Sequence, residues 1–283
     1  MKKLGVIYFG LIVVIITVFA QFDSMKLLPL TTPDAFLGNL PYIQLGNIIM
    51  TQPSSTFIVY ALGLFIIALG IKFLKHQEEQ LSRKWWGISM ILWGIGTLLA
   101  GTSYQAFGYQ LNCVGKEYCN FTNWFEVTYL LFTGTSIGLI AMGMSYCITN
   151  GKTRVLMQKI TIVLMVLYGL VLVIGTVVPV QVLVTYELFN LFFMPLFIWF
   201  FVLNIINYNR DKDLFNKRFV QNWILFIFVN ASYYVYYWFG FSEILLDQTG
   251  LWFNQNDWLH LMVFVWMAHI WFSISGIMTD KKA

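Results

Sequence analysis

Residues Phe57–Phe73 read FIVYALGLFIIALGIKF, an apolar run whose single charge, Lys72, falls near its end. As an α-helix this run rises about 25 Å, and apolar stretches of that length span the hydrocarbon core of a bilayer. Six more segments of the same character follow, at roughly Trp86–Gly108, Phe125–Ile148, Val155–Val180, Val182–Ile206, Trp223–Phe241 and Trp258–Met278. Composition agrees with them: 59% of residues are hydrophobic, 11% are charged and the mean hydropathy is +0.71. A soluble domain carries about 25% charged residues. The expected fold is therefore all-α, a polytopic transmembrane bundle of seven core helices. The connecting loops are too short to fold as separate domains.

The basic residues set the expected orientation. Lys2, Lys3, Lys72, Lys75, Arg83, Lys84, Lys152, Arg154, Lys159, Arg210, Lys212, Lys217, Arg218, Lys281 and Lys282 fall on one side, and only Lys26 and Lys116 on the other. By the positive-inside rule the first group is cytoplasmic. This predicts a multi-pass protein of the plasma (inner) membrane with a cytoplasmic C-terminus. Residues 1–20 form a leader of two readings. Met1-Lys2-Lys3, the apolar run to Ala20 and the small residues Val18 and Ala20 suit a signal peptide, yet the run is nearly long enough to stay as an eighth helix. Residues 21–283 then form one bundle, to which the lipid bilayer is the first partner. The net charge of +4 follows the topology and does not point to nucleic acid.

Several spans carry polar residues at one membrane depth. Gln105, Glu126, Glu187, Asp257 and His260 all fall at the outer third. Polar groups inside a bilayer are costly and mark functional sites. Gly94, Thr97, Gly101, Gln105 and Gly108 share one helical face, as do Glu126, Tyr129, Thr133 and Ser136. Asn230, Tyr234 and Tyr237 form a further expected inward stripe, and Glu187 and Asn190 precede Pro195 on another span. Asp257 and His260, three apart, face the same way; Asp257 also suits a helix N-cap. The expected pocket is Gln105, Glu126, Tyr129, Glu187, Asp257 and His260.

Other features have simpler readings. Cys113 and Cys119 share the short loop Leu111–Asn123, where an oxidising exterior would join them in a disulfide. Cys147 reads as a buried apolar residue, His76 as solvated, and His269 as an interhelical hydrogen-bonding group. The span Val155–Val180 reads as lipid-facing. Trp85, Trp86, Trp124, Trp223, Trp252 and Trp258 fall at span ends as an interfacial belt. The loop from Gln21 to Ser55, with four prolines, is a candidate lid over the bundle mouth.

Gly101–Gln105, Glu126 and Asn256–His260, set on seven helices with an outside N-terminus after leader removal, resemble the superfamily of alkaline ceramidases and adiponectin-type receptors. These are seven-helix intramembrane hydrolases with Ser-x-x-x-His on the second helix, an acid at the third and His-x-x-x-His on the seventh. In this chain Glu126 and His260 match, Gln105 and Asn256 replace two metal ligands, and Ser103 is out of register. The resemblance implies a divalent metal such as zinc as a candidate cofactor, held by His260 and Glu126, and hydrolysis within the membrane. Three functions are therefore expected in competition: a protein that binds or senses a small-molecule or lipid ligand in an outward-facing pocket, a metal-dependent intramembrane hydrolase, and a small proton-coupled transporter. Walker, Rossmann and thiol-redox motifs are absent from the sequence.

Overall fold

The computed structural model describes residues 28–38 and 42–281. The leader and both of its readings lie outside the described residues. The described chain begins with a short helix and a hairpin. Helix α1 (Pro33–Leu37) starts at Thr32, whose Oγ1 accepts from the Ala35 amide at 3.3 Å. Strands β1 (Ile43–Leu45) and β2 (Ile48–Met50) follow as an antiparallel hairpin with Leu45 opposite Ile48. Gly46 sits in its two-residue turn with φ of 61°, a conformation that favours glycine.

The bundle comes next. Helix α2 (Pro53–Lys75) begins with proline at its first turn, where the missing N–H costs nothing. Helix α3 (Leu81–Ala100) passes into a π-helical turn at Gly101–Ala106, and the short α4 (Gly108–Asn112) comes after Phe107. Then come α5 (Trp124–Ile148), α6 (Gly151–Gly175), a 3-10 turn at Gln181–Val184 and α7 (Tyr186–Asp211). Helix α8 (Leu214–Trp238) bends by 60° into α9 (Phe241–Thr249). Helix α10 (Gln255–His269) ends in a second π turn, Ile270–Ile274. Among the described residues six helices are long and apolar enough to cross a membrane, and α8 with α9 makes a seventh if the bent pair counts as one span. The chain is thus an all-α, multi-pass membrane bundle.

Several helices begin earlier than the apolar runs do. α8 starts at Leu214, nine residues before Trp223, because Lys217 and Arg218 extend it with long side chains that carry their charges to water. Asp213 caps this extension, accepting from the Asn216 amide at 2.8 Å.

Helices α2, α3, α5, α7, α8 and α10 each pack on the next, and α10 closes on α2. They form a ring. Helix α6 lies outside it, mainly against α5. The buried positions of α6, Met157, Thr161, Leu164, Tyr168 and Leu172, make one narrow stripe, while Val163, Val166, Leu170 and Val173 are exposed. That matches its expected lipid-facing character. α2 and α3 approach most closely through reciprocal glycines, Gly63 with Gly94 and Gly70 with Gly87. Small residues allow such backbone contact between membrane helices.

One end of the bundle carries the hairpin; the other carries the last described residues, Met278 to Lys281. At this tail end Arg83 donates to the carbonyls of His76 (2.6 Å), Met278 (2.7 Å) and Gly276 (3.3 Å). The Asp280 carboxylate accepts from the Leu81 and Ser82 amides at the start of α3, where a negative charge suits the helix dipole. Arg154 donates to the Lys281 carbonyl at 2.8 Å.

The tail half is an aromatic and aliphatic core that includes Trp86, Phe219 and Trp223. This corrects the expected aromatic belt in part. Trp86 and Trp223 are 1% and 2% exposed, and their indole N–H groups donate to the Ile140 carbonyl and to Asn204 Oδ1. Both lie inside their helices rather than at the ends, because α3 begins five residues before Trp86 and α8 nine residues before Trp223. Trp124, at 78% exposed, keeps the surface position expected of an anchor. Cys147 is buried and His76 exposed, as expected.

Candidate functional site

The ring of six helices encloses a cavity of about 470 Å³ toward the hairpin end. All six ring helices line it. The wall nearest the hairpin is polar, with Gln52, Gln105, Glu126, Asn230, Asn256 and His260. The floor, deeper in the bundle, is apolar: Leu62, Trp93, Ile137, Phe226 and Trp266. The Trp93 and Trp266 rings meet edge-on at 5.7 Å, and Phe226 lies 4.8 Å from Trp266. The Trp266 indole donates to Asn222 Oδ1 at 2.9 Å, so its polar end is satisfied below the cavity.

The polar wall is built from local helix rules. Asn123 caps α5: its Oδ1 accepts from the Phe125 and Glu126 amides at 2.9 and 3.2 Å. The same side chain donates through Nδ2 to Glu126 Oε1 at 2.8 Å, and Asn112 Nδ2 donates to that oxygen at 3.3 Å. Glu126 is only 5% exposed. Tyr129 and Thr133 follow it at helical spacing into the cavity. Ser136, expected on that face, does not line the cavity: its Oγ donates to the Thr133 carbonyl of its own helix at 2.8 Å, and its backbone carbonyl accepts from Ser89 Oγ of α3 at 2.7 Å; Ile137 takes the cavity position.

Gln105 reaches the wall by way of the π turn. In a straight α-helix it would share the face of Gly94, which packs on α2. The Phe107 amide instead bonds the Thr102 carbonyl, five residues back, at 2.8 Å. The wider turn delays the rotation of the next residues and puts Tyr104 and Gln105 beside Thr97 in the cavity. The Gln105 backbone carbonyl accepts from Thr51 Oγ1 and the Gln52 amide, both at 2.9 Å, tying the hairpin to α3. Its side chain, 6% exposed, leaves Oε1 without a hydrogen-bond partner, and so does Thr133 Oγ1 at 2% exposed. Buried polar atoms without partners are rare in native structures and ask for a reason.

Four of the six expected pocket residues, Gln105, Glu126, Tyr129 and His260, therefore meet around one cavity. Asp257 does not line it. It closes a capping box at the start of α10, with Oδ2 accepting from the Asn254 amide at 2.9 Å while Asn254 Oδ1 accepts from the Asp257 amide at 3.0 Å. The side chain of Glu187 lies outside the described residues. On α8 the inward stripe is Phe226, Val229, Asn230 and Tyr233. Tyr234 and Tyr237, expected there, are 40% and 57% exposed. A one-residue error in helical phase turns a side chain by about 100°, and Tyr233-Tyr234 offered two equal choices.

Tyr233, Trp93, Trp266, Asn112 and Gln52 complete the site without having been singled out in the sequence. Only Asn123 carried a local signal, as a cap residue directly before an apolar run. The segment between the leader and α2 does reach the site, supplying Leu28 and Gln52 to the cavity wall. Cys113 and Cys119 are joined by a disulfide. It follows α4 directly and holds Asn112 next to the Glu126 cluster; the Cys119 amide donates to the Thr31 carbonyl at 2.8 Å, binding this loop to the segment before α1.

Among the described residues no group of three or more His, Cys, Asp or Glu stands close enough to hold a metal ion. Glu126 and His260 share the cavity, but its described wall offers no third ligand of those types and no Lys or Arg. The arrangement can hold an amphiphile, with hydrogen bonds at one end and aromatic contact at the other. No protein-family model, curated protein or solved structure matches this chain.

Proposed function

We propose that this membrane protein binds or senses a small amphiphilic, lipid-like ligand in the cavity ringed by α2, α3, α5, α7, α8 and α10. The carrying observation is the division of that cavity into a polar wall and an aromatic floor, with Gln105 Oε1 and Thr133 Oγ1 left unpaired beside it. A volume of about 470 Å³ lies within the range of about 300–1,000 Å³ common for small-ligand sites. The charge asymmetry of the sequence supports placing the hairpin end outside and the C-terminus in the cytoplasm of a plasma-membrane protein. The ligand then enters from the exterior or from the outer leaflet.

The test uses the full chain in lipid nanodiscs. Amphiphiles with brominated tails quench tryptophan fluorescence on contact, and Trp93 and Trp266 report on the floor. Saturable quenching is expected in the wild type. It is lost in Thr133→Phe, which fills the cavity without altering its charge. Quenching that never saturates, or that is the same in Thr133→Phe, overturns the proposal.

A further inference from the structure

We infer that the ligand's polar end is a protonated amine, received by Glu126; this rests on the ligand-binding reading above and names the chemistry of its head group. Among the described residues Glu126 is the only carboxylate on the cavity wall, and no Lys or Arg stands there to neutralise it. The ion pairs found among them are Arg83 with Glu78 and Arg210 with Asp211, both remote from it. Taking a carboxylate out of water costs several kcal/mol in real proteins. The amide donors of Asn112 and Asn123 both go to Oε1, and hydrogen bonds to charged groups return about 1.5–3 kcal/mol each. They cover part of that cost and bring no positive charge to the group.

The neighbours of Glu126 suit the same head group. Gln105 Oε1 is a buried acceptor without a donor. Tyr104 and Tyr129, edge-to-face at 6.0 Å, line the same cavity, and aromatic rings attract ammonium groups. An anionic head group would meet the carboxylate with only His260, of the described wall residues, to answer it. A neutral alcohol would gain hydrogen bonds but no ionic term. The tail falls among Trp93, Phe226 and Trp266.

The experiment compares dodecylamine, dodecanol and dodecanoate on the full chain in nanodiscs of neutral lipid, read by tryptophan fluorescence and by native mass spectrometry. Dodecylamine is expected to bind at least about tenfold more tightly than dodecanol, and dodecanoate more weakly than either. In Glu126→Gln the ratio of amine to dodecanol affinity falls to about onefold. An equal affinity for amine and alcohol in the wild type, an advantage that survives Glu126→Gln, or dodecanoate as the tightest ligand each overturns the inference. Should Glu126→Gln fail to fold, the wild type decides through N-acetyl-dodecylamine, which keeps the chain and loses the charge: binding equal to that of the amine rejects the role of Glu126. Saturable dodecanol binding beside any of these negative results leaves the cavity reading standing. Absence of saturable binding by all of the probes rejects both.

Discussion

Gly94→Ala puts a close backbone-to-backbone contact between α2 and α3 under strain. A Cβ at position 94 would lie 2.6 Å from the Gly63 carbonyl oxygen and 2.9 Å from the Ile67 amide nitrogen, where ordinary contact begins at 3.4 Å. Both atoms are backbone, so no rotamer change relieves the clash. α2 and α3 must part locally by about 0.8 Å, a distance that forfeits a quarter to a half of the dispersion well of the facing atoms. Overpacking of this kind costs about 1–3 kcal/mol. Gly169→Ala is the control. It lies on α6, half-buried, where the nearest atom to an added Cβ is Leu131 Cδ1 of α5 at an unstrained 4.0 Å, and it gains the same helix propensity. The difference between the two variants therefore isolates the steric term. Reversible unfolding in mixed detergent and SDS should find Gly94→Ala less stable than Gly169→Ala by about 1–3 kcal/mol. Gly63→Ala opens the same gap from the other side, so the double variant Gly63→Ala/Gly94→Ala should cost less than the two single changes together. Equal stability of Gly94→Ala and Gly169→Ala would refute the reasoning. Strict additivity in the double variant would show that the two glycines do not share one contact.

Asn204→Ala removes a buried hub that accepts from the Trp223 indole at 2.9 Å and donates to Asn216 Oδ1 at 2.8 Å; unfolding should show a loss of about 1–3 kcal/mol for the groups left unpaired, and a wild-type curve would deny the network that weight. Cys113→Ser/Cys119→Ser opens a bridge across six positions and should lower stability by about 2–3 kcal/mol on loop entropy; alkylation of the native protein without reductant should find no reactive thiol at either site. Cysteines placed singly at Lys152 and Lys116 should react with a membrane-impermeant reagent from opposite sides of intact cells, Lys116 from outside; labelling from the same side removes the orientation on which the exterior entry depends.

Much of the bundle was legible in the chain because burial in a bilayer is a composition effect. Phe57–Phe73 has no other stable fate than a helix, since lipid offers no partner to its backbone groups. Glu126, Gln105 and His260 were legible for the same reason: a polar side chain in an apolar run stands out. The exposed side of α6 could be read because lipid tolerates any apolar residue there. Which polar residue faces which neighbour was not written locally. Asp257 served helix capping where a pocket was expected, and both uses ask for an acid near a helix start. Tyr233 rather than Tyr234 entered the cavity because helical phase on α8 is set by packing against α7 and α10. Gln105 reached it only through a π turn, a backbone choice that no side-chain pattern in Gly101–Ala106 declares. The sequence by itself settled what must lie in the membrane, since transfer from water to lipid is a sum over residues. The tertiary structure alone decided the ring of six helices and the cavity inside it, because those depend on which faces fit one another at contact distance, as Gly63 fits Gly94.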